Sequence, residues 1–270
     1  MYFSVKSAYQ ICTLPLKKWI PERYYSTISD WYRIRNDFDT EEWTAPLNPY
    51  KEVQISPSRI NRMTPRTPNL PIEKRIEMFG RVLGGDWDRQ SEMEFGSWRP
   101  ERYGNNKWIY ELLIDNRFNE TVFYRSATKH VEDGVPWKET EFYNKMMAGF
   151  ECNRAGLPAY GETCEEFLAV LREIDVLYDS IQQNGVRSQF KHTNKSFLRA
   201  LNDSILVDIG RDGELLFVEG RRRLTMAKIL DIDTVPVCIQ IRHEDWMDYR
   251  DRVYRDGMHV SHPDFSEFKS

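Results

Sequence analysis

The sequence predicts an α+β fold: a small sheet flanked by helices, with a helical insertion. Three stretches predict it. Residues 163–186, "TCEEFLAVLREIDVLYDSIQQNGV", place Phe167, Val170, Leu171, Ile174, Leu177, Tyr178 and Ile181 on one stripe at helical spacing. Residues 204–220, "SILVDIGRDGELLFVEG", hold two β-rich runs around Arg211-Asp212-Gly213, the pattern of a hairpin. Residues 218–230, "VEGRRRLTMAKIL", turn a strand into a helix (Leu224, Ala227, Leu230) and lead to "DTVPVCIQI", a strand over 235–241.

The remaining elements follow in chain order. Residues 1–50 are rich in Trp and Tyr and broken by Pro15, Pro21, Pro46 and Pro49, which suits an arm with short helices near 26–35. Val53 and Ile55 alternate as in a short strand that Pro57 ends. "GRVLGGDWDRQ" (80–90) is a strand stub running into two glycines and two aspartates. Residues 98–160 are helical and aromatic. One helix runs through "ETVFYRSATKHV" with Asn119 as N-cap, and another through "KETEFYNKMMAGFE" (138–151), its Phe142, Met146, Met147 and Phe150 packing as core. Thr163 and Glu166 form a capping-box pair for the long helix, and Asn184-Gly185 stops it. The organisation expected is an arm (1–50), a domain (51–243) whose sheet comes from about 51–60 and 186–241 with the helical insertion at about 98–160, and a polar tail (244–270) beginning as a helix.

Composition limits the function classes. Lys and Arg number 38 against 42 Asp and Glu, a net charge of -4 with a pI near 5.8. That is not the balance of a duplex-binding protein, so any nucleic-acid contact must come from a local basic patch. The 4 cysteines (Cys12, Cys152, Cys164, Cys238) form no C-x-x-C, which argues against zinc and disulfides and for a reducing, cytoplasmic setting. No apolar run reaches the roughly 18 residues of a membrane span, and no membrane partner is expected.

The arginine run poses the functional question. The first turn of a helix carries partial positive charge from its unpaired N–H groups, so Arg221, Arg222 and Arg223 stand where anions are favoured. Either the arginines face solvent and acidic neighbours such as Asp231 and Asp233, or an anion binds among them. In the second case Arg223→Ala should weaken anion binding and leave the fold intact. "GGDWD" (84–88) is a further candidate. Asp86 and Asp88, two residues apart, could ligate Mg²⁺ or act as a base beside a phosphate; alternatively they form an Asx-turn with Trp87 packed inward. Glu219 precedes the arginines, as a catalytic acid or as their ion-pair partner. Gln189, Lys191 and His192 are further polar candidates after the "NGV" stop. His243 with Trp246, and His262 with Asp264, suit satisfied core or surface histidines better than catalysts. No Walker loop, Rossmann glycine pattern or serine elbow is present.

The order helix with "SIQQNGV", hairpin, "VEGRRRLTMAKIL" and strand with "VPV" resembles the ParB/sulfiredoxin-like superfamily. Gly220 matches the shared glycine and Arg223 the shared arginine. Arg222 falls where ParB has its first arginine and sulfiredoxin its histidine; Arg221 falls where ParB has glutamate and sulfiredoxin cysteine. The resemblance covers residues 175–242, with 51–60 as a first strand. It implies a small mixed sheet and a phosphate loop in which Gly220, Arg221, Arg222 and Arg223 bind a nucleoside triphosphate, with Mg²⁺ as its companion ion, and in which Glu219 stands where some kinase members carry an acid. Arg222 is expected to be the structural arginine. Without cysteine at 221 it does not imply sulfinic-acid chemistry, and the stretch after Arg242 is short for ParB's DNA-clamp domains. "GGDWD" and "RHEDW" also resemble segments of archaeal and viral proteins. The function implied is an NTPase or small-molecule phosphotransferase; the alternative is a non-enzymatic ParB-like DNA-binding or assembly protein, as in a viral protein.

Overall fold

A computed structural model describes residues 43–65, 78–89, 107–113, 115, 117–154, 156–157, 159–191 and 197–269. The class is α+β, as expected: a mixed sheet with helices packed around it. Strands β1 (Glu52–Ile55), β2 (Arg62–Met63), β3 (Arg81–Leu83), β4 (Ile205–Ile209), β5 (Leu215–Glu219) and β6 (Val235–His243) form one sheet in the order β1-β6-β4-β5-β2. β3 joins β6 beyond β1 on the same side, so the nine-residue β6 serves both. The β4–β5 hairpin is antiparallel, whereas β6 runs parallel to β4. The chain must therefore cross over β4 between β5 and β6, and a helix makes that crossing.

The helices are α1 (Lys107–Leu113), α2 (Val122–Glu132), α3 (Glu141–Glu151), α4 (Cys164–Asn184), α5 (Phe197–Asn202), α6 (Arg221–Ile229) and α7 (Glu244–Arg255). Local chemistry sets their ends. Thr163 Oγ1 accepts the Glu166 N–H, and the Glu166 carboxylate reaches back to the Glu162 N–H at 2.8 Å, a capping box displaced by one residue. Gly185, at φ 65, ends α4 as expected. The cap of α2 is Thr121 rather than Asn119: a 3-10 turn over Phe118–Glu120 takes up the residues before it, and Thr121 Oγ1 accepts the Tyr124 N–H. α3 likewise begins later than the pattern suggests, after a 3-10 turn at Trp137–Glu139 and a Thr140 cap.

Period-2 alternation sends Ile205, Val207, Leu215, Phe217, Val235 and Val237 to one face. There they join Phe123, Phe142, Met146, Phe167, Leu171 and Ile174 of the insertion and α4 in one core. Leu206, Asp208, Leu216, Val218, Cys238 and Gln240 alternate with them and are buried too. A sheet covered on both faces reads as an unbroken apolar run, which is the pattern of "SILVDI" and "LLFV". α6 lies between β4 and helices α2 and α4. Four consecutive residues, Leu224, Thr225, Met226 and Ala227, are buried, so apolar surroundings meet it on more than one side.

Residues outside 51–243 join the same body. Asp251 Oδ1 on α7 accepts the Thr44 and Ala45 N–H groups at 2.7 and 2.8 Å. Trp246, Val253 and Phe265 belong to the main core. Cys152, Cys164 and Cys238 are free thiols. Among the described residues no helix is long and apolar enough to cross a membrane. The helices expected near 26–35, and Cys12, lie outside the described residues.

Candidate functional site

The junction of β5 and α6 is built around a backbone turn that only glycine fits. Gly220 has φ 91 and ψ 26, and a Cβ there would lie 2.8 Å from the Ile205 Cα. Its carbonyl accepts the Leu224 N–H at 3.0 Å, the first hydrogen bond of α6, so the N–H groups of residues 221–223 precede the helical ladder. The Gly220 N–H donates to Glu219 Oε1 at 3.1 Å. That contact folds the acidic side chain back onto the loop.

The three arginines leave this turn in different directions. The Arg221 guanidinium lies over the rings of Phe217 and Phe118, at 5.1 and 5.9 Å, where the negative ring faces attract it. Arg222, 36 % exposed, reaches Glu173 at 3.6 Å, an open pair worth little in water. Arg223 is half-buried and donates to the Asp203 carbonyl. Burial pushes its pKa down, with Asp203 and Glu219 acting in the opposite sense. The structural arginine is thus Arg223, not Arg222. Buried Tyr160 borders the group: desolvation pushes its phenol up to about 12, with Arg221 and Arg222 opposing and Glu219 reinforcing the rise.

A consequence is a revised expectation for Arg223→Ala. The sequence predicts little loss of stability. The half-buried donor predicts a loss of about 1.5–3 kcal/mol, because the substitution removes a charged hydrogen bond to the Asp203 carbonyl. Urea unfolding of the variant measures it; a loss under about 0.5 kcal/mol would restore the sequence-based expectation.

"GGDWD" is placed elsewhere. Asp88, 5 % exposed, takes Nε and Nη2 of Arg211 at 3.1 and 2.7 Å and the Arg211 N–H at 2.8 Å. Burial raises its pKa, but these Arg211 contacts outweigh that and leave it below the ordinary carboxylate value. Asp86 is exposed and meets the same Nη2 at 2.8 Å. The Gly85 carbonyl accepts from Arg211 Nη2 and from His243 Nε2, both at 2.7 Å. His243 Nδ1 accepts the Asp245 N–H, which fixes the Nε2–H tautomer and caps α7. Trp87 stacks on His243. The stretch latches β3, the hairpin turn and α7 together.

Arg211 sits at the turn of the hairpin and Gly220 at the other end of β5, about 17 Å of strand away at ~3.4 Å per residue. The fold therefore does not bring Asp86 and Asp88 to the arginine loop. Among the described residues no three His, Cys, Asp or Glu side chains are grouped as metal ligands. Gln189 is buried and Lys191 exposed in a 3-10 turn, while His192 lies outside the described residues.

One acidic residue escapes the sequence pattern. Glu52 opens β1, where alternation with Val53 and Ile55 assigns it to the polar side, yet it is half-buried and its Oε1 is covered with no hydrogen-bond partner among the described residues. Burial raises its pKa; Ser188, Lys191 and Arg223 pull it down. Lys191 and Arg223, both singled out from the sequence, thus act electrostatically on a carboxylate that was not. Comparison of the chain with protein-family models, curated proteins and solved structures gives no match.

Proposed function

We propose that this protein is a ParB/sulfiredoxin-like nucleotide-binding enzyme. In it the Gly220–Arg223 loop holds the phosphates of a nucleoside triphosphate, and the terminal phosphoryl group passes to water or to a small hydroxyl compound. The observation that carries this reading is Gly220: a left-handed turn with no room for a Cβ, opening directly onto a helix whose first three residues are arginines. Backbone N–H groups at such a start favour phosphate oxygens, and guanidinium forks match them. Arg222, held among the described residues by one exposed pair, is the arginine that can turn toward a ligand. Arg221 supplies charge from its aromatic seat, and Arg223 keeps the turn in place.

Glu219, at the loop, is the acid placed to share a Mg²⁺ carried on the phosphates; Asp86 and Asp88 stand at the far turn. A single carboxylate suits Mg²⁺, which keeps most of its waters and phosphate ligands and neutralises phosphate charge. Calorimetry with a panel of nucleoside triphosphates, with and without Mg²⁺, tests the reading. Saturable binding at one site is expected, and Arg222→Ala should weaken it by about 1.5–3 kcal/mol, roughly 10- to 150-fold in Kd, with the unliganded melting temperature unchanged. Absence of binding at millimolar triphosphate, together with duplex binding that falls steeply with salt, would replace the enzyme by the DNA-binding alternative.

A further inference from the structure

We infer that one face of α6 binds a small oxyanion of the phosphate class, held by Lys228, Thr225 and Arg221 beside the ring of Phe118. The site lies along the helix from the Gly220 turn. It does not depend on the nucleotide reading, with which it shares Arg221. Residues three and four apart stand on one side of a helix, so 221, 225 and 228 form a single row. Two cations of that row meet the same ring: the Arg221 guanidinium lies 5.9 Å and the Lys228 ammonium 5.8 Å from the centre of Phe118. Lys228 starts about 10 Å further along the axis, at ~1.5 Å per residue, and a helical side chain leans back toward the preceding turn.

The wall facing this row is fixed by hydrogen bonds. The Phe118 N–H donates to the Asn61 carbonyl at 2.8 Å. Asn61 Nδ2 donates to the Ser58 carbonyl at 2.7 Å, which turns Oδ1 toward Lys228 Nζ, 3.2 Å away. Asn61 is exposed, and a ligand enters on that side.

Two groups of the row lack an acceptor. Thr225 is completely buried, and its Oγ1 has no hydrogen-bond partner among the described residues. Lys228 is half-buried and donates to one neutral amide oxygen; among the described residues no carboxylate pairs with it. Burial pushes its pKa down to about 8, with no neighbouring charge offsetting the loss of water. Arg221 adds a guanidinium at the start of the row, its Nη1 3.8 Å from Met63 Sδ. A buried hydroxyl and a desolvated ammonium each cost stability when left short of acceptors. Cover for the ring alone does not call for Thr225, since a valine would pack there without stranding a hydroxyl. Donors under net positive charge select an acceptor-only anion. A phosphate group offers oxygens to the ammonium, the hydroxyl and the guanidinium fork together.

The test uses the full chain and inorganic phosphate, read by calorimetry and by melting temperature in buffer free of other oxyanions. Wild type should bind phosphate saturably and melt higher with it. Lys228→Met keeps a stem over the ring and should weaken binding about 10-fold or more, and Thr225→Val about threefold or more. Without phosphate both variants should melt no lower than wild type, because each removes a donor short of acceptors. Side chains that only hold the fold give lower melting with unchanged phosphate affinity, and that pair of results overturns the inference. Arg222→Ala separates this site from the Gly220 turn, and its phosphate affinity should match wild type. Binding lost in Arg222→Ala but kept in Lys228→Met puts the anion at the turn, which overturns this inference and leaves the nucleotide reading standing. A wild type that binds no phosphate overturns it too, whatever a triphosphate titration shows. Glycerol 3-phosphate distinguishes the source: binding at least as tight as inorganic phosphate assigns the site to a phosphorylated small molecule, weaker binding to the free ion.

Discussion

Asp264→Asn is expected to destabilise the protein by about 3–5 kcal/mol, the cost of leaving buried cations without their counter-ion. Asp264 is 3 % exposed and faces two arginines, both almost completely buried. Arg242 meets it through Nη2 at 2.6 Å, and Arg250 through Nε at 3.3 Å. Trp246 Nε1 donates to Oδ2 at 2.9 Å. One carboxylate thus balances two guanidiniums, and the surplus charge is spread over the Pro46 carbonyl, 2.6 Å from Arg250 Nη2, and the Phe268 ring. The asparagine keeps the shape but removes the only anion of the cluster among the described residues. Burial raises the Asp264 pKa, yet Arg242 and Arg250 outweigh that and hold the carboxyl well below its ordinary range. A depressed pKa contributes stability that is fully present above the unfolded value, about 3.9, and is lost as pH falls toward the folded one. The difference between wild type and variant should therefore be constant from pH 6 to 8 and shrink in acid. Urea unfolding at pH 7 measures it, and a loss below about 1 kcal/mol would show that the arginines are satisfied without Asp264.

That cluster also shows where the sequence stops being legible. The elements around the candidate loop are punctuated locally: Thr163 and Glu166 open α4, Gly185 closes it, and Gly220 separates β5 from α6. Such signals depend on neighbours a few residues away, so they read directly from the chain. Arg242, Arg250 and Asp264 carry no such signal. They look like a polar tail because charged residues are mostly exposed, and only the fold brings three of them together under Trp246. The register shift between Val207 and Ile209 is part of this, since it sets Arg242 opposite Ile209. Glu52 misleads for a related reason. Alternation tells which side of a strand a residue faces, but not whether another layer covers that side. Asp86 and Asp88 carry a readable turn signal, whereas their distance from Gly220 is set by the parallel pairing of Leu83 with His243, a long-range fact. The arginine run was legible as a tension at a helix start. Its resolution by two rings, a carboxylate and a carbonyl was not.

Gly220→Ala should cost about 2–4 kcal/mol and abolish nucleotide binding. A left-handed conformation costs an L-residue about 1–2 kcal/mol, and the new methyl carbon would also press on the Ile205 Cα at 2.8 Å and Cγ1 at 3.0 Å. Ile205 is a completely buried strand residue, so it cannot withdraw cheaply. Relief must come from the loop, by rotating Gly220 away from φ 91, and that rotation moves the N–H groups of residues 221–223 off any phosphate they face. Gly185 provides the control: its φ of 65 and ψ of -177 also disfavour L-residues, but a Cβ there meets nothing within 4 Å. Gly185→Ala should show a conformational cost alone, about 1–3 kcal/mol, with triphosphate affinity unchanged. The contrast separates strain from function. If Gly220→Ala loses the expected stability but still binds triphosphate like wild type, the anion site is not at the start of α6.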